Sequence, residues 1–340
     1  MASYITNVIP RTLALTVFLY IVAKPRYRLY LISRFLNMFG FGSLELTSSA
    51  NTVQLSLKAG NKKVQFADQE NITLRQLVDS VVPPVRLNPL LSSGHLQTLY
   101  VSLGKGPSAK IHYKRRLFVS DNTTYPGSFT TDWVVPAPST PEPRDTSLPP
   151  RTHNFAEEEF TTFTTSEPTK PLLIVLHGLS GGSHEQYVRH AIQPLTATGG
   201  FDAVVINSRG CCYSKLTSSK LFNARSTWDL RQFVKWIRST WPERRLFAIG
   251  FSLGANILCN YLGEEGADCE LEAGILVGNP WNLDVSNAIL CNSFIGLHVY
   301  QRGLAAGLKK LFERHVDVIK QNPDIDVELV RSAKYLYQWD

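Results

Sequence analysis

The chain has 340 residues, of which 44% are hydrophobic and 19% are charged, a composition that is typical of a folded globular protein and excludes overall disorder. Its net charge of +7 is unevenly distributed, because five basic residues precede the first acidic one, Glu45, and leave a net charge of only +2 for the rest of the chain. That distribution argues against a nucleic-acid-binding protein, which needs a basic surface on its folded domain. The five basic residues are Arg11, Lys24, Arg26, Arg28 and Arg34.

An uncharged apolar run, residues 12–23, lies among these basic residues. The run is short for a membrane span, which needs about 20 apolar residues, but residues 2–23 contain a single charge and are long enough. We therefore predict a membrane-associating segment over residues 1–45, either a single-pass anchor or a basic helix lying in the membrane interface. An organelle presequence and an apolar helix docked on the protein are the alternatives.

Five cysteines show neither Cys-x-x-Cys nor Cys/His ligand spacing, which predicts reduced thiols, no metal site and an intracellular protein. The glycine-rich segment 178–182 lacks the ending of a P-loop and the spacing of a dinucleotide fingerprint, so no bound cofactor is predicted. The basic cluster 114–116 is expected to be a solvated face. The cysteines are Cys211, Cys212, Cys259, Cys269 and Cys291.

The middle of the chain begins with residues 52–66, whose polarity alternates around a glycine at position 60 and predicts a β-hairpin. Residues 136–171 are rich in Pro, Ser, Thr and Glu, which predicts a flexible surface insertion. This insertion lies within the α/β domain that we predict over residues 46–340.

From residue 170 onward, apolar strands alternate with amphipathic helices. Residues 172–176 form a continuous Leu, Ile and Val run that is typical of a strand buried on both faces. Ser226 and Asp229 resemble a capping box at the start of a helix whose apolar stripe runs to Trp241. The alternation predicts an α/β fold with a doubly wound, mostly parallel sheet. Further strands are predicted at residues 202–206, 246–249 and 273–277, and residues 290–340 are predicted to form a helical cap.

The pentapeptide Gly-Phe-Ser-Leu-Gly at residues 250–254 lies between a predicted strand and a predicted helix. This is the position of a nucleophile elbow, in which glycines on both sides of the serine allow a tight turn and close packing of strand and helix. A serine presented in this way can attack an acyl carbonyl. We therefore predict that Ser252 is a catalytic nucleophile.

Two backbone amides are predicted to stabilise the oxyanion that such an attack creates. One is the N–H of Leu253, which follows the nucleophile, and the other is the N–H of Leu179, in the glycine-rich loop after an earlier strand. His177 begins that loop. We expect His177 to organise the loop rather than to act as a base.

The ordered series of motifs resembles the AB hydrolase superfamily, family 4, and is similar to the yeast medium-chain fatty acid ethyl ester synthase/esterases and their monoacylglycerol lipase relative. The resemblance implies an α/β-hydrolase fold, an acyl-enzyme at Ser252 and activity on medium-chain acyl esters. It also implies transfer of the acyl group from acyl-CoA, as donor substrate, to a small alcohol. The motifs include residues 88–89, 94–98, 176–185, 207–211, 250–254 and 279–281.

The same resemblance implies a catalytic Asp and then a catalytic His after the elbow. Only His298 and His315 follow Ser252, both in the predicted cap, and neither is expected to be the base. Asp284 is expected to have a loop or cap role. We therefore expect that the triad acid and base are not present in this chain, that it is C-terminally truncated and lacks the last strands of the sheet, and that its activity is impaired.

Two functional hypotheses follow. The first is a serine hydrolase or acyltransferase of lipid-like esters, that is, a carboxylesterase, an acylglycerol lipase or an alcohol O-acyltransferase, with water or a small alcohol as acceptor. The second is a non-catalytic, membrane-associated acyl-binding or interaction protein with the same fold. Both place the chain inside the cell, at a membrane surface through residues 1–45, with no nucleic-acid partner.

Overall fold

The computed structural model describes residues 54–56, 71–82, 88, 91, 93–103, 109–140 and 143–339. The chain divides into two compact units, Met1–Gly106 and Pro107–Asp340. The predicted N-terminal segment, residues 1–45, and the predicted turn around residue 60 lie outside the described residues. Among the helices that are described, none combines the length and the apolar character that crossing a bilayer requires.

The first unit contains a short antiparallel sheet formed by β1 (Gln54–Ser56) and β2 (Asn71–Thr73). Helix α1 (Leu74–Val81) follows β2 directly, and α2 (Gly94–Leu103) completes the described elements of this unit. Thr73 begins α1 with a capping box, since its hydroxyl accepts from the Gln76 amide at 3.1 Å and the Gln76 side chain accepts from the Thr73 amide at 2.8 Å.

A seven-stranded sheet forms the centre of the second unit, with the strand order β5-β3-β4-β7-β6-β8-β9. The pairs β3/β4 and β4/β7 are antiparallel, and the remaining four pairs are parallel. This is the mostly parallel, doubly wound sheet that the sequence predicts. The strands are β3 (His112–Val119), β4 (Ser128–Val135), β5 (Thr152–Asn154), β6 (Leu172–Leu176), β7 (Asp202–Asn207), β8 (Leu246–Phe251) and β9 (Ala273–Val277).

Helices follow most of these strands in the order expected for an α/β fold. They are α3 (Glu157–Thr165), α4 (Gln186–Ala197), α5 (Trp228–Thr240), α6 (Leu253–Glu265), α7 (Leu283–Cys291), α8 (Arg302–Ile319) and α9 (Val327–Ser332), with a π-helical turn at Gly296–Gln301 and a final 3₁₀ turn at Leu336–Gln338.

Two apolar cores cover the two faces of the sheet, and β6 contributes to both. Leu172, Ile174 and Leu176 belong to the core that contains α5 and α6 side chains such as Phe233 and Leu258. The alternate residues of β6 belong to the other core, beneath α4. All five residues of β6 are buried, which is why this strand reads as an uninterrupted apolar run.

The prediction of a flexible insertion over residues 136–171 is wrong for part of that range. Residues 152–154 form β5, which pairs with β3, and residues 157–165 form α3. Phe163 packs edge-on against Trp133 with a ring-centroid distance of 5.1 Å and joins the central core. Phe160 and Phe163 of this otherwise polar segment pack against Trp236 and Trp133, and these aromatic contacts attach the segment to the core.

Helices dominate the region after β9, where a helical cap is predicted. Helix α8 packs through Phe312 and Ile319 against Leu216, which follows β7. Helix α9 ends at Ser332, and a 3₁₀ turn at Leu336–Gln338 follows it. Strand β9 is the last strand in the order of the sheet, and its side chains Ile275 and Val277 are exposed.

Candidate active site

The candidate site lies at the carboxyl ends of β6, β7 and β8, where the strand order places β6 between β7 and β8. In open α/β sheets the usual ligand site lies outside the carboxyl ends of the strands, at the point where the strand order reverses. The loop after β6, residues 177–183, meets the loop after β7 and the turn after β8 at this edge. Ser252 occupies that last turn.

Ser252 has the geometry of a nucleophile elbow. Its backbone has φ 52° and ψ −114°, a conformation that is strained for a residue with a side chain. Its amide donates to the Val277 carbonyl at 2.9 Å, which fixes the turn against β9. The side chain is exposed, and its position as N-cap of α6 places it at the positive end of the helix dipole. This environment favours attack by the serine oxygen. It also stabilises an anion that forms beside the serine.

The glycines that flank Ser252 are required sterically. A Cβ on Gly250 would lie 2.4 Å from the Gly254 carbonyl oxygen, and a Cβ on Gly254 would lie 2.5 Å from the carbonyl oxygens of Leu176 and His177. Both distances are backbone clashes, so only glycine lets α6 pack this closely on β8 and β6. The Gly-x-Ser-x-Gly pattern is therefore explained by contacts on both sides of the serine.

His177 organises the loop after β6 through both ring nitrogens. Its Nδ1 bonds the Gly178 carbonyl oxygen at 2.7 Å, and its Nε2 accepts from the Ser208 amide at 3.0 Å. This pattern assigns the proton to Nδ1 and leaves a neutral imidazole. Burial lowers the pKa of His177 to about 4, against a smaller opposing effect of the Gly178 hydrogen bond. These contacts agree with the expected loop-organising role and leave neither nitrogen available as a base.

Protonating His177 is expected to destabilise the fold. The pKa of His177 is about 4 in the folded protein against an ordinary 6.5, so between these pH values the unfolded chain binds more protons and the free energy of unfolding falls as the pH falls. The expected loss is on the order of 3 kcal/mol. Urea denaturation at several pH values should show a steeper acid loss in the wild type than in His177→Gln.

His298→Gln provides the control for this measurement, because His298 is exposed. It should keep the wild-type pH dependence. Burial also lowers the pKa of His184 and His315, so a smaller acid loss remains in every variant. Identical pH slopes for wild type and His177→Gln would contradict the assignment.

The far end of the loop after β6, at Ser183, is anchored at the end of β7, next to the residue that His177 bonds. The Ser183 amide donates to the Asn207 side-chain oxygen at 3.1 Å, and the Ser183 hydroxyl donates to an Asp132 carboxylate oxygen at 2.5 Å. His177 bonds Ser208 and Ser183 bonds Asn207, so two adjacent residues hold both ends of the glycine-rich loop. The loop is thereby fixed in position before any substrate binds.

A buried ion pair supports this anchor, and sequence reasoning missed it. Arg115 and Asp132 face each other on β3 and β4 and form two hydrogen bonds, at 2.6 and 2.8 Å, with side-chain exposures of 4% and 0%. Burial alone would lower the pKa of Arg115, but the attraction and hydrogen bonds of Asp132 outweigh it and raise that pKa above its ordinary value. Arg115 also donates to the Cys212 carbonyl at 2.9 Å. The expectation that residues 114–116 form a solvated cluster is therefore wrong for Arg115.

The amides of Leu179 and Leu253 are predicted to hold the oxyanion. The neighbouring Gly178 amide is already occupied, since it donates to the Tyr187 hydroxyl at 2.8 Å. Within the described part of the chain, neither the Leu179 amide nor the Leu253 amide donates to any acceptor. A Cβ on Gly178 would lie 3.5 Å from the Ser252 Cβ, so the loop that carries Leu179 lies directly against the elbow. The role of these two amides stays a prediction.

The remaining acid and base candidates form contacts with residues other than Ser252. The His315 Nε2 bonds the Gly210 carbonyl oxygen at 2.8 Å and attaches α8 to the loop after β7. His298 packs on Phe294 with a ring-centroid distance of 4.7 Å, and Asp284 is exposed in the first turn of α7. Among the residues that the structure describes, no side chain forms a hydrogen bond with the Ser252 hydroxyl. The absence of the triad acid and base from this chain therefore stays a prediction.

Neither of two clefts found elsewhere in the second unit competes with this site. They have volumes of about 530 and 320 Å³ and share His112, Val135 and Pro136 at the start of β3 and the end of β4. Because β4 runs antiparallel to β7, the end of β4 lies beside the start of β7. Both clefts are therefore at the opposite end of the strands from Ser252. No group of three or more His, Cys, Asp or Glu side chains is arranged to hold a metal ion in the described ranges.

Comparisons with known proteins give the same fold. Residues 171–337 match a protein-family model described as alpha/beta hydrolase fold. The chain is 35% identical over 288 residues to a monoacylglycerol lipase of Saccharomyces cerevisiae, covering 78% of this chain and 63% of that protein. It is 32% identical over 286 residues to medium-chain fatty acid ethyl ester synthase/esterase 2 of the same yeast, covering 76% and 61%. The chain thus spans less than two thirds of the length of these curated relatives.

The esterase Pf2001 of Pyrococcus furiosus aligns with 20% sequence identity and a TM-score of 0.40, covering 62% of this chain and 66% of that chain.

Proposed function

This chain belongs to the α/β-hydrolase fold family, and on that premise we propose that it is a serine hydrolase acting on carboxylic esters of medium-chain fatty acids. The observation that carries the proposal is the geometry of Ser252. It is exposed, strained at φ 52°, located at the N-terminus of α6 and adjacent to a rigid loop with free amides. Such an arrangement serves covalent acyl transfer.

The reaction would proceed through an acyl-enzyme. The Ser252 oxygen attacks the acyl carbonyl carbon, the amides of Leu179 and Leu253 hold the oxyanion, and the bond to the alcohol oxygen then breaks. In serine hydrolases with a complete triad, an imidazole base carries the serine proton to the leaving alcohol. Because the described residues place no imidazole at Ser252, we propose that the 340-residue chain acylates slowly.

The names of the two yeast relatives support the substrate class. One is a monoacylglycerol lipase and the other a medium-chain fatty acid ethyl ester synthase/esterase. For this chain we propose an acyl ester as substrate and water or a small alcohol as acceptor. We propose acyl-CoA as the acyl donor when the acyl group is transferred to an alcohol. We also propose that residues 1–45 bring the enzyme to the surface of an intracellular membrane where such esters dissolve.

A chain-length profile tests the proposal. The purified 340-residue chain is assayed with p-nitrophenyl esters from acetyl to palmitoyl, with and without ethanol, and free acid and ethyl ester are both quantified. We expect slow turnover that is highest for octanoyl and decanoyl esters, and ethyl ester formation when ethanol is present. Turnover equal to that of Ser252→Ala across the whole series would contradict the proposal.

The second candidate is a non-catalytic acyl-binding protein with the same fold. It is favoured by one observation, that no described side chain bonds the Ser252 hydroxyl. Medium-chain fatty acid that binds the chain without any Ser252-dependent turnover would support this alternative. The same assay therefore separates the two functions.

A further inference from the structure

Tyr187 connects the loop after β6 with the residue that precedes the nucleophile. It lies in the first turn of α4, and its hydroxyl accepts a hydrogen bond from the Gly178 amide at 2.8 Å. Its ring packs edge-on against Phe251 with a centroid distance of 5.0 Å. The side chain of Tyr187 therefore extends from α4 to the elbow itself.

Two glycines leave room for the Tyr187 hydroxyl itself, which lies close to both of them. A Cβ on Gly178 would lie 3.3 Å from this oxygen and 3.5 Å from the Ser252 Cβ, and a Cβ on Gly181 would lie 3.2 Å from the same oxygen. The position of a Gly178 Cβ is thus bordered by both the phenol oxygen and the serine. The phenol oxygen and the nucleophilic serine are therefore near neighbours, so a carbonyl group attacked by Ser252 would lie close to the phenol oxygen.

The hydroxyl proton of Tyr187 is uncommitted. A phenol both donates and accepts, and here the acceptor capacity is used by Gly178. No acceptor in the part of the chain that the structure describes receives the proton. Burial raises the pKa of Tyr187 to about 12, although the Gly178 hydrogen bond acts in the opposite direction, so the proton stays on the oxygen at neutral pH.

We propose that Tyr187 is a catalytic residue whose hydroxyl donates a hydrogen bond to the substrate oxyanion, beside the amides of Leu179 and Leu253. The proposal rests on the proposed serine hydrolase function. As the bond from Ser252 to the carbonyl carbon forms, the π electron pair moves onto the carbonyl oxygen and the serine proton passes to solvent water, since the described residues place no imidazole at Ser252. The Tyr187 proton stays on Tyr187, shared in a hydrogen bond with the new anion. The bond from Gly178 polarises the hydroxyl and strengthens this donation.

The alternative is that Tyr187 only supports the loop by accepting from Gly178. Tyr187→Phe removes the oxygen in either case, so the loss of rate alone does not decide. Comparing an ester with its thionoester distinguishes the two roles of Tyr187, because the thionoester sulfur is a weak hydrogen-bond acceptor. A missing donor slows the ester much more than the thionoester, whereas a loosened loop slows both by the same factor.

The experiment compares kcat/KM for p-nitrophenyl octanoate and its thionoester in the wild type and Tyr187→Phe. We expect the ester rate to fall on the order of 100-fold, with a much smaller effect on the thionoester, so that the ratio of the two rates collapses. Tyr213→Phe is the matched control, since Tyr213 is exposed after β7 and packs on His184 rather than on Phe251. Its rate ratio should equal that of the wild type, and urea denaturation confirms that each variant is folded.

Two other outcomes are distinguishable. An unchanged ester-to-thionoester ratio in Tyr187→Phe, with turnover that still requires Ser252, overturns the assignment of Tyr187 and leaves the serine hydrolase intact. Equal rates for wild type and Ser252→Ala overturn both.

Discussion

Replacing Asp132 by alanine is expected to lower the free energy of unfolding by about 3–5 kcal/mol, because it leaves a buried charge without its partner. Arg115 is 4% exposed, and its two hydrogen bonds to Asp132 hold its charged form in the interior. The same carboxylate accepts from the Ser183 hydroxyl, so the substitution also removes one of the two hydrogen bonds that anchor this end of the glycine-rich loop. We expect a large fall in stability together with a loss of catalytic rate.

Urea denaturation followed by tryptophan fluorescence measures the change. Arg245→Ala is the matched control, because Arg245 and Glu272 form an exposed pair just before β8 and β9 and should contribute less than about 1 kcal/mol. Arg115→Met combined with Asp132→Leu should recover most of the stability, since an apolar pair of similar volume leaves no buried charge. A fall of under about 1 kcal/mol in Asp132→Ala would show that the pair is not desolvated in solution.

Replacing Ser252 by alanine is expected to reduce ester turnover to the uncatalysed background. No other described serine has an N-terminal helix position, a strained turn and an adjacent loop with free amides in combination. The substitution should leave stability within about 0.5 kcal/mol of the wild type, because the side chain is exposed and forms no hydrogen bond that is described. Loss of activity without loss of stability is the signature of a catalytic role.

Ser239→Ala is the control for that comparison. Ser239 is exposed on α5 and bonds only the Trp236 carbonyl of its own helix, so its removal should change neither turnover nor stability appreciably. Equal loss of activity in both serine variants would point to a general effect of handling or folding rather than to the elbow.

The sequence was sufficient to predict the sheet and the elbow because both are encoded locally. The continuous apolar run of β6 indicates a strand buried on both faces, and burial of all five residues confirms it. The Gly-x-Ser-x-Gly pattern lies within a single strand-turn-helix unit, although the backbone contact that requires Gly254 comes from the end of β6. Signals of this kind need no knowledge of distant residues.

The supporting contacts were not predictable in the same way, since they join residues far apart in the chain. Arg115 becomes buried only because the register of β3 and β4 places it opposite Asp132. The prediction of a capping box with Asp229 is wrong, because Asp229 pairs with Arg209 at 2.6 Å and α5 begins after Thr227. In both cases an acidic side chain pairs with an arginine from another part of the chain. No local sequence pattern indicates which arginine that is.

Covalent labelling tests the central claim, that Ser252 is an activated nucleophile. The purified 340-residue chain is treated with a fluorophosphonate, digested and analysed by mass spectrometry. We predict an adduct on Ser252, on the peptide that contains residues 250–254, which is slow to form and absent from Ser252→Ala. No adduct on Ser252 in folded protein, or equal labelling of wild type and Ser252→Ala, would contradict the account.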